Sequence, residues 1–112
     1  MTITEKNVGE IAILEFSGKI MGGPDAGLLN DKLHELIDHN RVKVVIDLGN
    51  VDWMNSSGLG ILIQALTTMR NNKGDIKLAN VSERIKSLLM ITKLTRIFEI
   101  HDTVENAAAS FA

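Results

Sequence analysis

The feature that most constrains this chain is an almost wholly apolar, β-branched run at residues 42–48, with the sequence VKVVIDL. Such a run is typical of an interior β-strand that is covered on both faces. Amphipathic patterns with helical spacing stand on either side of it, at residues 25–37 and 56–69. Because a strand of this kind must be covered by packed helices, the chain is predicted to form an α/β domain.

The other segments continue the alternation of strands and helices. Residues 2–6 and 11–16 predict a hairpin around a turn at residues 7–9. Later segments predict a strand at 76–79, a helix beginning at Ser82, a short strand at 96–100 and a last helix capped by Asp102 or Thr103. A hairpin is antiparallel, whereas strands joined by helices pair in parallel. We therefore predict a mixed β-sheet, with an N-terminal antiparallel hairpin and mainly parallel later strands, packed with about four α-helices.

Glycine and asparagine residues supply the predicted boundaries of several elements. Gly18 ends the strand region of the hairpin, and Gly49 with Asn50 breaks the buried strand. The second helix is expected to end at residues 71–74, NNKG, where asparagine and glycine tolerate the left-handed conformation. No repeat or linker interrupts the pattern, so residues 1–112 are predicted to be one domain.

Composition excludes several classes of protein. The formal net charge of -2, with scattered basic residues, predicts neither a nucleic-acid nor a membrane partner. Cysteine is absent, which excludes disulfides and thiolate chemistry and fits a reducing cytosol. The polar start predicts no signal peptide, and no apolar run approaches the roughly 20 residues that span a bilayer. We expect a soluble, cytoplasmic protein that is a monomer when free, since no heptad seam is evident.

The sequence contains no arrangement typical of an enzyme. The three histidines, His34, His39 and His101, form no metal-binding pair, and solvated side chains explain them best. A dinucleotide loop would need glycine at position 63, which is isoleucine, and a nucleophile elbow would need glycine at position 55, which is asparagine. We therefore predict no catalytic residue, no cofactor and no metal, and we interpret the chain as a non-enzyme.

What remains is the sequence WMNSSGLG at residues 53–60, which follows the buried strand and stands where a helix begins. Helix capping is the simpler interpretation, because asparagine and serine both satisfy free N–H groups at a helix start. A functional interpretation uses the same geometry: an exposed serine there would carry phosphate beside the positive end of the helix dipole. Phosphorylation would then change the charge that a partner meets without unfolding the domain.

At this motif the chain resembles the STAS family, which includes bacterial anti-sigma factor antagonists. The resemblance covers nearly the whole chain. It is carried by FSGKI at 16–20, VVIDL at 44–48, MNSSGLG at 54–60, GDIKL at 74–78, residues 81–98 and VENAA at 104–108.

The resemblance implies a phosphorylation switch. In the family, an anti-sigma factor that is also a serine kinase phosphorylates the first serine of the pair, here Ser56, with Ser57 as second choice. The unphosphorylated antagonist binds the kinase and releases the sigma factor, and a PP2C-type phosphatase resets the cycle. ATP would belong to the kinase. The predicted partner-binding residues are Met21, Gly22, Trp53, Met54, Asn55, Ser56, Ser57, Gly58 and Leu59, with Trp53 and Met54 forming an apolar anchor if they are exposed.

Two positions depart from the family pattern. Aspartate commonly precedes the serine pair, where this chain has Asn55, and an acidic residue often stands where this chain has Met21. These departures favour a first alternative, a STAS adaptor or scaffold subunit of a signalling or lipid-transport complex that is never phosphorylated. A second alternative is a small enzyme or nucleotide-binding domain, which the missing phosphate loops and bases disfavour.

Overall fold

The protein is described by a computed structural model that covers residues 1–111. In this range the elements are β1 (Thr2–Val8), β2 (Ile11–Ile20), α1 (Pro24–Asp38), β3 (Lys43–Met54), α2 (Ser56–Asn71), β4 (Asp75–Ala79), α3 (Glu83–Ile91), a short 3-10 helix (Leu94–Arg96), β5 (Glu99–His101) and α4 (Val104–Ala109). The five strands form one sheet in the order β1-β2-β3-β4-β5. Among the strands of residues 1–111, only the β1–β2 pair is antiparallel, so the predicted mixed sheet with four α-helices is confirmed.

The sheet is covered on its two faces by unequal layers. The larger core packs the inner face of the sheet against α1, α2 and α3, and it includes Phe16, Leu62 and Leu78. The smaller core packs the opposite face, through Ile13 and Val45, against α4. Because alternate residues of a strand point to opposite faces, β3 contributes to both cores, as its apolar run predicts. No helix within residues 1–111 combines the length and the apolarity needed to cross a bilayer.

Two of the predicted strand ends are wrong. β2 continues through Gly18 to Ile20, and β3 continues through Gly49 and Asn50 to Met54. The pairing of β2 with β3 shifts register near these residues, and Gly18 takes a φ of 96°. Glycine inside a strand often marks such an irregularity, where the backbone adjusts without leaving the sheet. The strands therefore extend to the place where α1 and α2 begin.

The C-terminal boundaries also differ in detail from the prediction. The segment predicted as a strand at 96–100 contains the end of a 3-10 helix, and β5 begins only at Glu99. At the exit of α2 the left-handed residue is Lys73, with a φ of 66°, and not one of the flanking asparagines or the glycine. Gly74 is needed for another reason: a Cβ there would overlap the carbonyl oxygen of Val42. Thr103, one of the two predicted caps, caps α4.

A buried lysine holds α4 against the sheet. The Lys77 side chain on β4 donates to the Oγ and the carbonyl oxygen of Ser110, at 2.7 and 3.0 Å, and pairs with Glu99 at 3.1 Å. Its ammonium group also lies 4.4 Å from the centre of the Phe111 ring. The hydrogen bond from Lys77 and a second from His101 hold the pKa of Glu99 below its ordinary value.

We expect Lys77→Met to lower the free energy of unfolding by about 1–3 kcal/mol, because it removes these hydrogen bonds from a buried position. Chemical denaturation measures the loss, and NMR titration should show the pKa of Glu99 returning toward its ordinary value. Hydrogen exchange should rise in α4 before other helices. Lys86→Met, at a partly exposed position of α3, is the control. Equal stability of the two variants would contradict the role of Lys77.

Candidate functional site

The candidate site lies at the C-terminal ends of two neighbouring parallel strands. Ile20 of β2 and Met54 of β3 are partners in the sheet, so the segments that follow them begin side by side. Residues 21–23 then lead into α1, and Asn55 leads into α2. In α/β folds the carboxyl ends of parallel strands are the usual position for binding sites, because strand-to-helix loops meet there. We call this place, formed by residues 21–23 and 55–57, the serine corner.

Asn55 organises the serine corner. Its extended backbone makes it the N-cap of α2, and its side-chain Oδ1 accepts from the Gly58 N–H at 2.8 Å. Its side-chain Nδ2 donates to the carbonyl oxygen of Met21 at 3.1 Å. Its own N–H donates to the carbonyl oxygen of Ile20 at 3.3 Å, and its carbonyl accepts from Leu59. Of the capping residues that the sequence left open, Asn55 is therefore the one used.

The base of the serine corner is tightly packed. Met54 is 2% exposed and Leu59 is 5% exposed, and Gly58 is also buried. Gly58 has no room for a side chain, since a Cβ would overlap the carbonyl oxygen of Ile20. Met54 is therefore not an exposed anchor, and these three residues support the corner from below. A partner would meet the other predicted residues first.

The two serines of the motif are both exposed but differ in their surroundings. Ser56 is the first residue of α2, and Ser57 is the second. The backbone of Gly22 approaches Ser57 so closely that a Cβ on Gly22 would lie 2.8 Å from the Ser57 Cβ. Ser57 is thus flanked by the 21–23 loop. Both hydroxyl groups belong to exposed residues, so the choice of Ser56 as phosphoacceptor stays a prediction.

Trp53 extends the serine corner toward α3. It is 43% exposed and lines a groove of about 190 Å³ together with Arg84, Leu88 and Ile91 of α3. The sequence interpretation identified Trp53 but missed Arg84 and Ile91 as its neighbours. A signal was present, because residues 84, 88 and 91 have helical spacing and form a stripe separate from the buried Ile85 and Leu89.

The electrostatics of the serine corner are mild. Asp25 accepts a hydrogen bond from the Met21 N–H at 3.3 Å, and the first turn of α2 carries no acidic residue. Shifted pKa values occur elsewhere. The hydrogen bond between Glu5 and Lys32 lowers the pKa of the carboxyl group and raises that of the ammonium group. That pair joins β1 to α1 and does not take part in the corner.

The histidines and carboxylates do not assemble into a metal site in the part of the chain that the structure describes. The His39 ring lies 2.8 Å from the Glu35 carbonyl oxygen, and the His101 ring lies 2.8 Å from the Glu99 carboxylate. His34 is exposed on α1. The structure therefore brings no histidine to the serine corner.

Comparison with known proteins identifies the family. The sequence model of the STAS domain family matches residues 2–107 of this chain. One relative is BtrV of Bordetella bronchiseptica, which is named as an anti-sigma factor antagonist. The two sequences are 25% identical over 111 residues, which cover 99% of this chain and 95% of BtrV. The chain therefore belongs to the STAS domain family, and the resemblance found in the sequence is confirmed.

Solved structures have the same fold. A crystal structure from Thermotoga maritima, described as an anti-sigma factor antagonist, matches with a TM-score of 0.86 and 24% identity, over 96% of this chain and 92% of that one. The Bacillus cell fate determinant SpoIIAA in its phosphorylated form matches with a TM-score of 0.74 and 16% identity, over 99% and 100% of the two chains. At these sequence identities, the structural similarity establishes a shared fold and nothing more.

Proposed function

We propose that this protein is an anti-sigma factor antagonist whose unphosphorylated form binds a serine-kinase anti-sigma factor and thereby releases a sigma factor. Phosphorylation of Ser56 by that kinase switches binding off, and a PP2C-type phosphatase restores the active form. The observation that carries the proposal is the exposed Ser56 at the first position of α2, above a closely packed base. The names of the STAS relatives support the same role.

The position of Ser56 suits a reversible charge switch. The first turn of a helix has N–H groups without helical partners and lies at the positive end of the helix dipole. A phosphate on Ser56 would be stabilised there, and the first turn of α2 contains no acidic residue to repel it. The fold should therefore tolerate a modification that adds about two negative charges to the surface.

The surface around Ser56 suits a protein partner. Met21 and Trp53 are 48% and 43% exposed, although both have large apolar side chains. Such side chains supply much of the affinity at protein interfaces when a partner covers them. The groove between Trp53 and α3 continues this surface. A partner seated over the serine corner would bury these side chains and would have to desolvate any charge on Ser56.

In this proposal the chain is a substrate and a ligand, not an enzyme. ATP is bound by the kinase, and the phosphatase supplies the hydrolytic step. The pathway operates in the cytoplasm, where sigma factors act, which agrees with the cysteine-free sequence. Turnover of a nucleotide or ester by the purified chain alone would contradict this assignment.

The test is incubation with ATP and the candidate kinase encoded in the same genome, followed by intact-mass and peptide analysis. We expect one phosphate on Ser56. It should be absent from Ser56→Ala and retained in Ser57→Ala, which is the matched control. Stable binding of a partner without phosphorylation under any condition would support the adaptor alternative instead. Phosphate on Ser57 alone would move the switch to the second serine.

A further inference from the structure

Asn55 forms hydrogen bonds both within the start of α2 and to the separate segment at the end of β2. Its Oδ1 caps α2 through the Gly58 N–H, and its N–H bonds to the end of β2 at Ile20. Its Nδ2 reaches across to the Met21 carbonyl oxygen at 3.1 Å. The last contact is not needed for capping. It ties the loop that precedes α1 to the start of α2.

The loop at residues 21–23 has few other constraints. Gly22 and Gly23 both take positive φ values, 96° and 61°. Glycine has more conformational freedom to lose than any other residue, so such a loop needs contacts to stay in one conformation. Besides Asn55, its hydrogen bonds go to the first turn of α1, mainly through Asp25. Among the residues that the structure describes, only the Asn55 side chain forms a hydrogen bond between this loop and residues 55–57, the other segment of the serine corner.

We infer that Asn55 is a positioning residue, whose side-chain amide holds the Met21–Gly22 loop against the start of α2 and so completes the face that a partner recognises. This inference rests on the proposed function for the identity of the partner. It requires both a donor and an acceptor on one short side chain. The aspartate side chain has the same size, but its carboxylate offers only hydrogen-bond acceptors. The side chains of serine and threonine are shorter than that of asparagine.

Asn55→Asp tests the donor specifically. The aspartate carboxylate can still cap α2, so the fold should persist, but it would place an acceptor against the Met21 carbonyl oxygen. We expect NMR order parameters of residues 21–23 to fall below about 0.6 at neutral pH, while α2 stays rigid. As pH falls and the new carboxyl group takes up a proton, it regains an O–H donor, and loop order should recover.

Controls separate this effect from other titrations. Asp25 bonds to Met21 and Asp52 is close in sequence, so the wild-type protein is measured over the same pH series. Asn50→Asp makes the same chemical change at an exposed position of β3 and should leave the loop ordered. Asn55→Ala lacks donor and acceptor, and its loop should stay disordered at every pH. Equal loop order in wild type and Asn55→Asp across the series would overturn the inference.

Partner affinity supplies the second measurement. With the unphosphorylated protein and the kinase at neutral pH, the uncharged variant Asn55→Ala should bind about tenfold more weakly than wild type, the effect of losing one hydrogen bond. A disordered loop with unchanged affinity would overturn the role of Asn55 in recognition. Absence of binding and phosphorylation in the wild-type protein would instead contradict the proposed function, and the loop measurements would still decide whether Asn55 holds the loop.

Discussion

Gly58→Ala is expected to lower the free energy of unfolding by about 3 kcal/mol or more, which is large against the typical 5–15 kcal/mol of a whole domain. The added Cβ would overlap the Ile20 carbonyl oxygen and lie 2.8 Å from the Met54 Cγ. The carbonyl is backbone at the end of β2 and already accepts from Asn55, so it cannot retreat without loss of that bond. Either the strand end or the first turn of α2 must move.

Gly60→Ala is the matched control for this prediction. Gly60 lies two residues further along α2 and is exposed. Apart from its chain neighbours and the backbone of its own helix, no atom lies within 4 Å of the position that its Cβ would take. Both substitutions restrict the unfolded chain equally and both improve helix propensity. Gly60→Ala should therefore stabilise the protein by up to about 1 kcal/mol. Urea denaturation followed by the fluorescence of Trp53, the single tryptophan, measures both variants. Equal effects would show that α2 is not closely packed at Gly58.

The fold was largely predictable because its elements have clear local patterns. Helix periodicity located α1 and α2, and the buried run at 42–48 located β3. Periodicity was less reliable for single core positions. Ile63 stands at helical spacing from the buried Leu59 and Leu66, yet Ile63 is 37% exposed, whereas Ile61 is only 8% exposed. Ile61 lines the contact between α2 and α1, and the direction of that contact is a property of the tertiary structure.

The candidate site was predictable in position but not in its internal contacts. A strand followed by a capped helix start located Ser56, and the family resemblance supplied its predicted role as phosphoacceptor. The hydrogen bond from Asn55 to Met21 joins residues 34 positions apart, and no local pattern encodes it. The close approach of Gly58 to Ile20 likewise depends on where β2 ends. The sequence prediction ended this strand at Gly18, whereas β2 continues to Ile20. Sequence therefore located the corner, and only the folded chain shows which residues are its base.

Ser56→Asp is expected to weaken binding of the kinase at least about 100-fold, or about 2.7 kcal/mol, because the new charge must be desolvated under the partner. The same substitution should leave the isolated protein as stable as wild type, or more stable by about 0.3–1 kcal/mol, since aspartate at the first position of a helix interacts well with its dipole. Opposite effects on binding and stability would separate a charge switch from simple damage to the fold.

Ser56→Asn is the control that isolates charge, because asparagine and aspartate have nearly the same shape. We expect Ser56→Asn to bind within about tenfold of wild type, the difference expected for a modest change of contact. Calorimetric titration against the kinase measures both variants. If both weaken binding equally, bulk at Ser56 controls the interface and phosphorylation would act sterically. If Ser56→Asp binds as tightly as wild type, charge at this position does not release the partner. Phosphoserine carries about −1.5 to −2 charges, so its effect should exceed that of aspartate.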